Sequence, residues 1–127
     1  MAAPTLLSVV ESAAHPNLSS TYAQLGIAET RLNSMRKALA ALKQQPYDYI
    51  IAEFFYGYGS NYAGVNISNL DVMLYSLQTY SPDSRVIVLV EKSERDYVGK
   101  LNEIFPLHAV LQYPVSTHDI ERTLGEI

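Results

Sequence analysis

No cysteine occurs among the 127 residues, which removes disulfides, thiolate metal sites and a cysteine nucleophile together. Charge is sparse at 17%, and the 9 Lys and Arg stand singly or in short runs within a formal net charge of −4. A phosphate backbone needs clustered cations, so direct nucleic-acid binding is not expected. No apolar run approaches the roughly 18 residues of a membrane span. The opening Met1-Ala2-Ala3-Pro4-Thr5-Leu6-Leu7 lacks the basic start of a signal peptide. The expectation is a cytoplasmic protein with no membrane partner. His15, His108 and His118 share no paired metal-ligand spacing. A Ser-His-Asp arrangement, a phosphate-binding glycine loop and a dinucleotide fingerprint are also missing. No enzyme activity, cofactor or metal is expected.

What the chain does contain is alternation. Thr5-Leu6-Leu7-Ser8-Val9-Val10 reads as a buried first strand closed by Glu11-Ser12. His15-Pro16-Asn17 is turn chemistry, and a helix from Asn17 or Ser19 to about Leu25 stops at Gly26. Residues 27–32 read as a second strand in preference to the middle of one long helix reaching Gln44. Asn33 or Ser34 caps a helix whose apolar face is Met35, Ala38, Leu39 and Leu42, and Pro46 ends it. Tyr47-Asp48-Tyr49-Ile50-Ile51-Ala52-Glu53-Phe54 follows as a buried strand that carries a carboxylate to the mouth of the sheet.

A loop rich in Gly and Tyr occupies residues 55–66, and Ser68-Asn69-Leu70-Asp71 resembles a capping box. Its helix directs Leu70, Met73, Leu74 and Leu77 inward, and Ser81-Pro82-Asp83-Ser84 forms a turn. Val86-Ile87-Val88-Leu89-Val90 is wholly apolar, as a strand covered by helices on both faces should be. Ser93-Glu94-Arg95-Asp96 repeats the capping pattern and opens a helix to about Phe105. Ala109-Val110-Leu111-Gln112 is the last strand, and Ser116 or Thr117 caps a final helix with Ile120, Leu124 and Ile127 on one stripe. Strand–helix alternation with right-handed crossovers makes a parallel sheet between two helix layers. The expected fold is α/β, a flavodoxin-like doubly wound sandwich: one domain over residues 1–127, with a five-stranded parallel sheet and helices on both faces.

Over essentially its full length the chain resembles the receiver domain of bacterial two-component response regulators. The resemblance rests on Leu6-Leu7-Ser8-Val9-Val10-Glu11, on residues 38–53, on Ser81-Pro82-Asp83-Ser84-Arg85-Val86-Ile87-Val88-Leu89, and on Tyr113-Pro114. It implies the receiver fold but a degenerate phosphorylation site. Glu53 stands where the family has its phosphorylated Asp, and Glu11 beside Ser12 where it has two Mg²⁺-binding acids. Val90, followed by Glu91, replaces the phosphoryl-binding Ser or Thr, Tyr113 replaces the Lys, and Val110 replaces the switch aromatic. A stable acyl phosphate needs a metal and a cation. Val90 donates no hydrogen bond and Tyr113 carries no charge; Lys92, nearby in sequence, is a candidate to compensate for the missing cation. No metal ligand and no catalytic residue are therefore expected.

Glu53 has three readings: a fixed charge imitating the phosphorylated state, a metal ligand together with Glu11, or an acid at a solvated strand end. Phe55, Tyr56, Tyr58 and Tyr62 offer either a partner-binding loop, since Tyr gives large contact area with few rotors, or a lid over the vacant site. A second surface is implied by the family's dimerisation face and comprises Tyr97, Val98, Lys100, Leu101, Gln112, His118 and Arg122, with Leu101 near its centre. The leading expectation is a phosphorylation-independent pseudo-receiver. It would act as a protein–protein interaction module in bacterial signalling, with a protein partner and a homodimer as one form. The alternative is a small-ligand or metal-binding flavodoxin-like domain, or a receiver retaining weak Mg-dependent phosphoryl binding through Glu11 and Glu53.

Overall fold

Five short parallel strands form the sheet of the computed structural model, which describes residues 4–11, 17–55 and 70–125. In chain order they are β1 (Thr5–Val9), β2 (Ala28–Leu32), β3 (Tyr49–Glu53), β4 (Arg85–Val90) and β5 (Ala109–Gln112). Their spatial order is β2-β1-β3-β4-β5, the doubly wound arrangement expected from the alternation. Register is fixed at the lower edge by Asp48, whose Oδ2 accepts the Thr5 N–H at 2.9 Å while its carbonyl accepts the Arg85 N–H. The same residue thus ties the starts of three strands.

Strand alternation divides the core in two. Leu7, Val9, Ile50, Ala52, Val86, Val88 and Val90 face helices α2 (Met35–Gln44) and α3 (Asp71–Tyr80). Leu6, Tyr49, Ile51, Ile87 and Leu89 face α1 (Ser19–Gln24) and α5 (Thr117–Gly125). Residues 27–32 do not join a long helix. Gly26 adopts φ 75°, a left-handed conformation that ends α1 and turns the chain into β2. Ser34 is the cap of α2, its Oγ accepting the Lys37 N–H at 3.2 Å. At α5, Ser116 and Asp119 exchange backbone-to-side-chain bonds in a reciprocal capping box.

Two expected helix starts differ. α3 begins at Asp71 with Leu70 in the capping position and no side-chain cap bond; Ser68 lies outside the described residues. The expected helix from Ser93 to Phe105 is broken into a 3₁₀ turn (Lys92–Glu94), a single α-helical turn that we label α4 (Arg95–Val98), and a second 3₁₀ stretch (Gly99–Glu103). Ser93 caps nothing, being inside the first 3₁₀ turn. Ser93, Asp96, Val98, Gly99 and Asn102 are mediocre or poor helix formers, and packing of Val98 and Leu101 on the sheet decides the local winding. Among the described residues no helix is long and apolar enough to cross a membrane.

Candidate functional site at the C-terminal end of the sheet

Period-two alternation along β3 puts Glu53 on the same face as Tyr49 and Ile51, at the carboxyl end of the sheet where doubly wound folds bind their ligands. Its side chain is fully buried, at 0% exposure. A buried carboxylate requires hydrogen-bond donors, and two are visible. The Glu11 N–H donates to Oε1 at 2.7 Å, and the Tyr113 hydroxyl donates to Oε2 at 2.9 Å. Glu11 follows β1 and Tyr113 follows β5, so one side chain on β3 joins the ends of three strands. The solvated reading of Glu53 is overturned by this burial.

The geometry depends on the particular residues. In the sheet Glu53 is opposite Leu89 of β4, which in turn is opposite Leu111 of β5. Tyr113, two residues beyond Leu111 on the same alternation, spans the width of β4 with its ring and places its hydroxyl on the carboxylate. Its N–H meanwhile donates to the Val90 carbonyl at 2.9 Å, extending the β4–β5 ladder. The Tyr113–Pro114 peptide is cis. An ammonium at this position would present charge to a phosphoryl group; the phenol presents one neutral O–H to an existing carboxylate.

Of the remaining expected site residues, Val90 is buried in the other layer, with Val86 and Val88, and does not belong to the Glu53 cluster. Val110 packs against that same layer from a half-buried position. Glu91 and Lys92 are exposed beyond the end of β4. Glu11 contributes its backbone to the cluster and is half-buried. Ser12, His15, Tyr56, Tyr58 and Tyr62 lie outside the described residues, so of the expected partner-binding loop only Phe55 is described, and it is half-buried.

The expected dimerisation face is corrected at its centre. Leu101 has 0% exposure and Val98 is buried beside it, both packed into the core with Phe105. What remains outside is Tyr97, Lys100, Gln112, His118 and Arg122, an almost wholly polar set. That face was implied by the family resemblance alone, whereas Val98, Leu101 and Phe105, spaced 3 and 4, form one apolar stripe that packs on the core. His108 is likewise exposed, with its Nε2 at 3.4 Å from the Thr123 carbonyl.

Two features escaped the sequence. Tyr22 is buried on α1, and its hydroxyl has no hydrogen-bond partner among the described residues. Burial pushes its phenol well above the usual range, with Glu29 adding to the shift and Arg31 opposing it. A shallow cleft at the sheet's β2 edge is lined by Val10, Leu32, Asn33 and Lys37, with Arg31 at its margin and on the α1 side of the sheet near Tyr22. The signal for the cleft was present in the sequence as a stretch, residues 30–47, without a single Asp or Glu.

No family model matches the chain, and no curated protein matches it. Solved structures do. A response regulator from Thermotoga maritima superposes with a TM-score of 0.74 at 16% identity, covering 98% of this chain and 96% of that one. A response regulator receiver domain protein from Clostridium thermocellum gives 0.70 at 16% identity, with 97% and 92% covered. An adenylate cyclase from Rhodopirellula baltica gives 0.74 at 15%, with 98% and 86% covered. Likeness at such identity speaks for architecture, and the five-stranded parallel sheet with its helices has the fold of response regulator receiver domains.

Proposed function

We propose that this chain is a receiver-like module that works without phosphoryl transfer and acts in signalling by presenting a surface to a protein partner. The observation that carries the reading is the engagement of both Glu53 carboxylate oxygens, by the Glu11 N–H and the Tyr113 hydroxyl, in a side chain with no exposed surface. A phosphoacceptor must offer an oxygen to an incoming phosphoryl group in line with its leaving group. Here both oxygens are occupied, and Glu53 serves as a fixed internal tie between β1, β3 and β5. That role also displaces the phosphorylation-mimic reading, because the charge is spent on internal donors instead of on a switch. The fold alone selects no output; its neighbours include a response regulator and an adenylate cyclase.

Intact-mass analysis after incubation with acetyl phosphate and Mg²⁺ tests the proposal. The unmodified mass is expected throughout, and a phosphoryl adduct on Glu53 would overturn it. The polar remainder of the Tyr97–Arg122 face argues for a heterologous partner over a stable homodimer there, since stable homodimers bury apolar centres. Light scattering checks this directly, with a monomer expected at micromolar concentration.

A further inference from the structure

Helix α3 is apolar on both sides. Met73, Leu74 and Leu77 are buried against the sheet, while Val72 and Tyr75 stand outside at 47% and 54% exposure. With Tyr80 at 42%, this one helix carries three of the five exposed large hydrophobic side chains among the described residues. The outward stripe runs Val72, Tyr75, Thr79 at helical spacing, and no charged residue occurs between Asp71, itself buried, and Asp83. An all-round apolar helix is the pattern of a buried element, whereas a surface helix directs charge outward. The other long helices do so: α2 exposes Arg36, Lys37 and Lys43, and α5 exposes Glu121 and Arg122. One flank of the stripe is closed by Gln78, whose Nε2 donates to the Ile104 carbonyl at 2.6 Å, and α2 packs along the other.

We propose that a second copy of this chain covers the stripe, in a weak two-fold α3–α3 contact. Charge selects the occupant. Across a two-fold axis each patch meets itself, so the α2 face would set its cations against their own copies. An uncharged stripe has nothing to repel, and in chains of net −4 it is where two copies approach at least cost. Tyr and apolar side chains without Lys, Glu or Asp are also the composition of interface centres. Size sets the strength. One helix stripe falls short of the roughly 20–30 residues a side of a standard interface, so the contact forms near millimolar concentration and is absent at micromolar. The stripe is separate from the Tyr97–Arg122 surface and does not depend on Glu53, so the contact goes beyond the phosphorylation-independent reading.

Amide NMR and sedimentation velocity at about 50 µM and about 1 mM test it, bracketing the dissociation constant expected of so small a contact. At the higher concentration, shifts should appear at residues 72–80 and the mass should rise toward that of two chains. Val72→Lys and Tyr75→Lys should each weaken the association about tenfold or more, by setting like charges against each other. Leu25→Lys, at a position 42% exposed near the end of α1, should leave it unchanged. All three side chains are exposed, so the variants keep the fold, which thermal melts verify. Mixing Tyr75→Lys with Tyr75→Glu should restore association, because a two-fold contact brings position 75 against its own copy. Spectra that do not change with concentration would overturn the proposal and leave the stripe to a different protein. Shifts centred on Tyr97, Gln112 and His118, equal weakening in Leu25→Lys, or no recovery in the mixture would overturn it as well. These samples contain neither Mg²⁺ nor a phosphoryl donor, so failure here is distinguishable from failure of the phosphorylation-independent reading.

Discussion

The Tyr113 hydroxyl donates to Glu53 Oε2 at 2.9 Å across 60 residues of chain, closing the upper end of β4 between β3 and β5. A hydrogen bond to a carboxylate contributes about 1.5–3 kcal/mol. Tyr113→Phe keeps the ring and removes this donor, so chemical denaturation should show a loss of about 2 kcal/mol. Glu53→Gln turns an amide N–H toward one of the two donors and should cost at least as much. The double variant should lose less than the sum by about 1 kcal/mol, since the two groups interact directly. Strict additivity would mean that the bond contributes nothing.

Leu101 is a core residue, and its substitutions should behave accordingly. Leu101→Ala should cost roughly 2–5 kcal/mol through lost burial and a cavity, with the native molecular mass unchanged in light scattering. Leu101→Asp should yield an unfolded chain by circular dichroism. A folded Leu101→Asp protein with a smaller assembly size would restore it to an interface.

Tyr22 links burial to alkaline pH. Its folded-state phenol titrates above the unfolded value near 10. The neutral phenol is therefore favoured by folding, and that contribution is complete below about pH 10. It is lost as pH rises toward the higher folded value. Wild-type stability should fall more steeply than that of Tyr22→Phe above about pH 10. At pH 7 the Phe variant should be about 1 kcal/mol more stable, because it removes a buried hydroxyl with no partner among the described residues. A less stable Phe variant at pH 7 contradicts this.

Asp119 operates at the other end of the pH scale. The Ser116 N–H and then the Ser116 hydroxyl interaction hold its carboxyl below the usual range, with Arg122 and His118 adding smaller effects. A depressed folded value contributes stability above the unfolded value near 4. The contribution vanishes as pH falls through the folded value. Melting temperatures of wild type and Asp119→Asn should differ at pH 6 and converge at the acid end. A gap that is constant with pH would remove Asp119 from the cap.

Much of this molecule can be read from apolar spacing. The 3.6-residue pattern of Met35, Ala38, Leu39 and Leu42 and the unbroken Val86-Ile87-Val88-Leu89-Val90 run locate α2 and β4 because burial on known faces demands those patterns. Leu101 was misplaced because its position was carried over from the family's dimerisation face, while its spacing of 3 and 4 from Val98 and Phe105 already marks an apolar stripe that the core claims. Position Glu53 was legible as a strand end, yet its burial was not. One of its donors is a tyrosine 60 residues away across an intervening strand, a relation no local pattern encodes. Alternation does place Glu53 and Tyr113 on one face, but only strand order brings them within reach.

The most direct test of the central claim is an amide NMR spectrum recorded with and without Mg²⁺ and beryllofluoride, a phosphoryl mimic. With Glu53 tied to Glu11 and Tyr113, the resonances of Glu53 and Val90 should remain in place. Saturable shifts centred on Glu11, Glu53 and Val90 would show an open, working phosphoryl site and contradict the account.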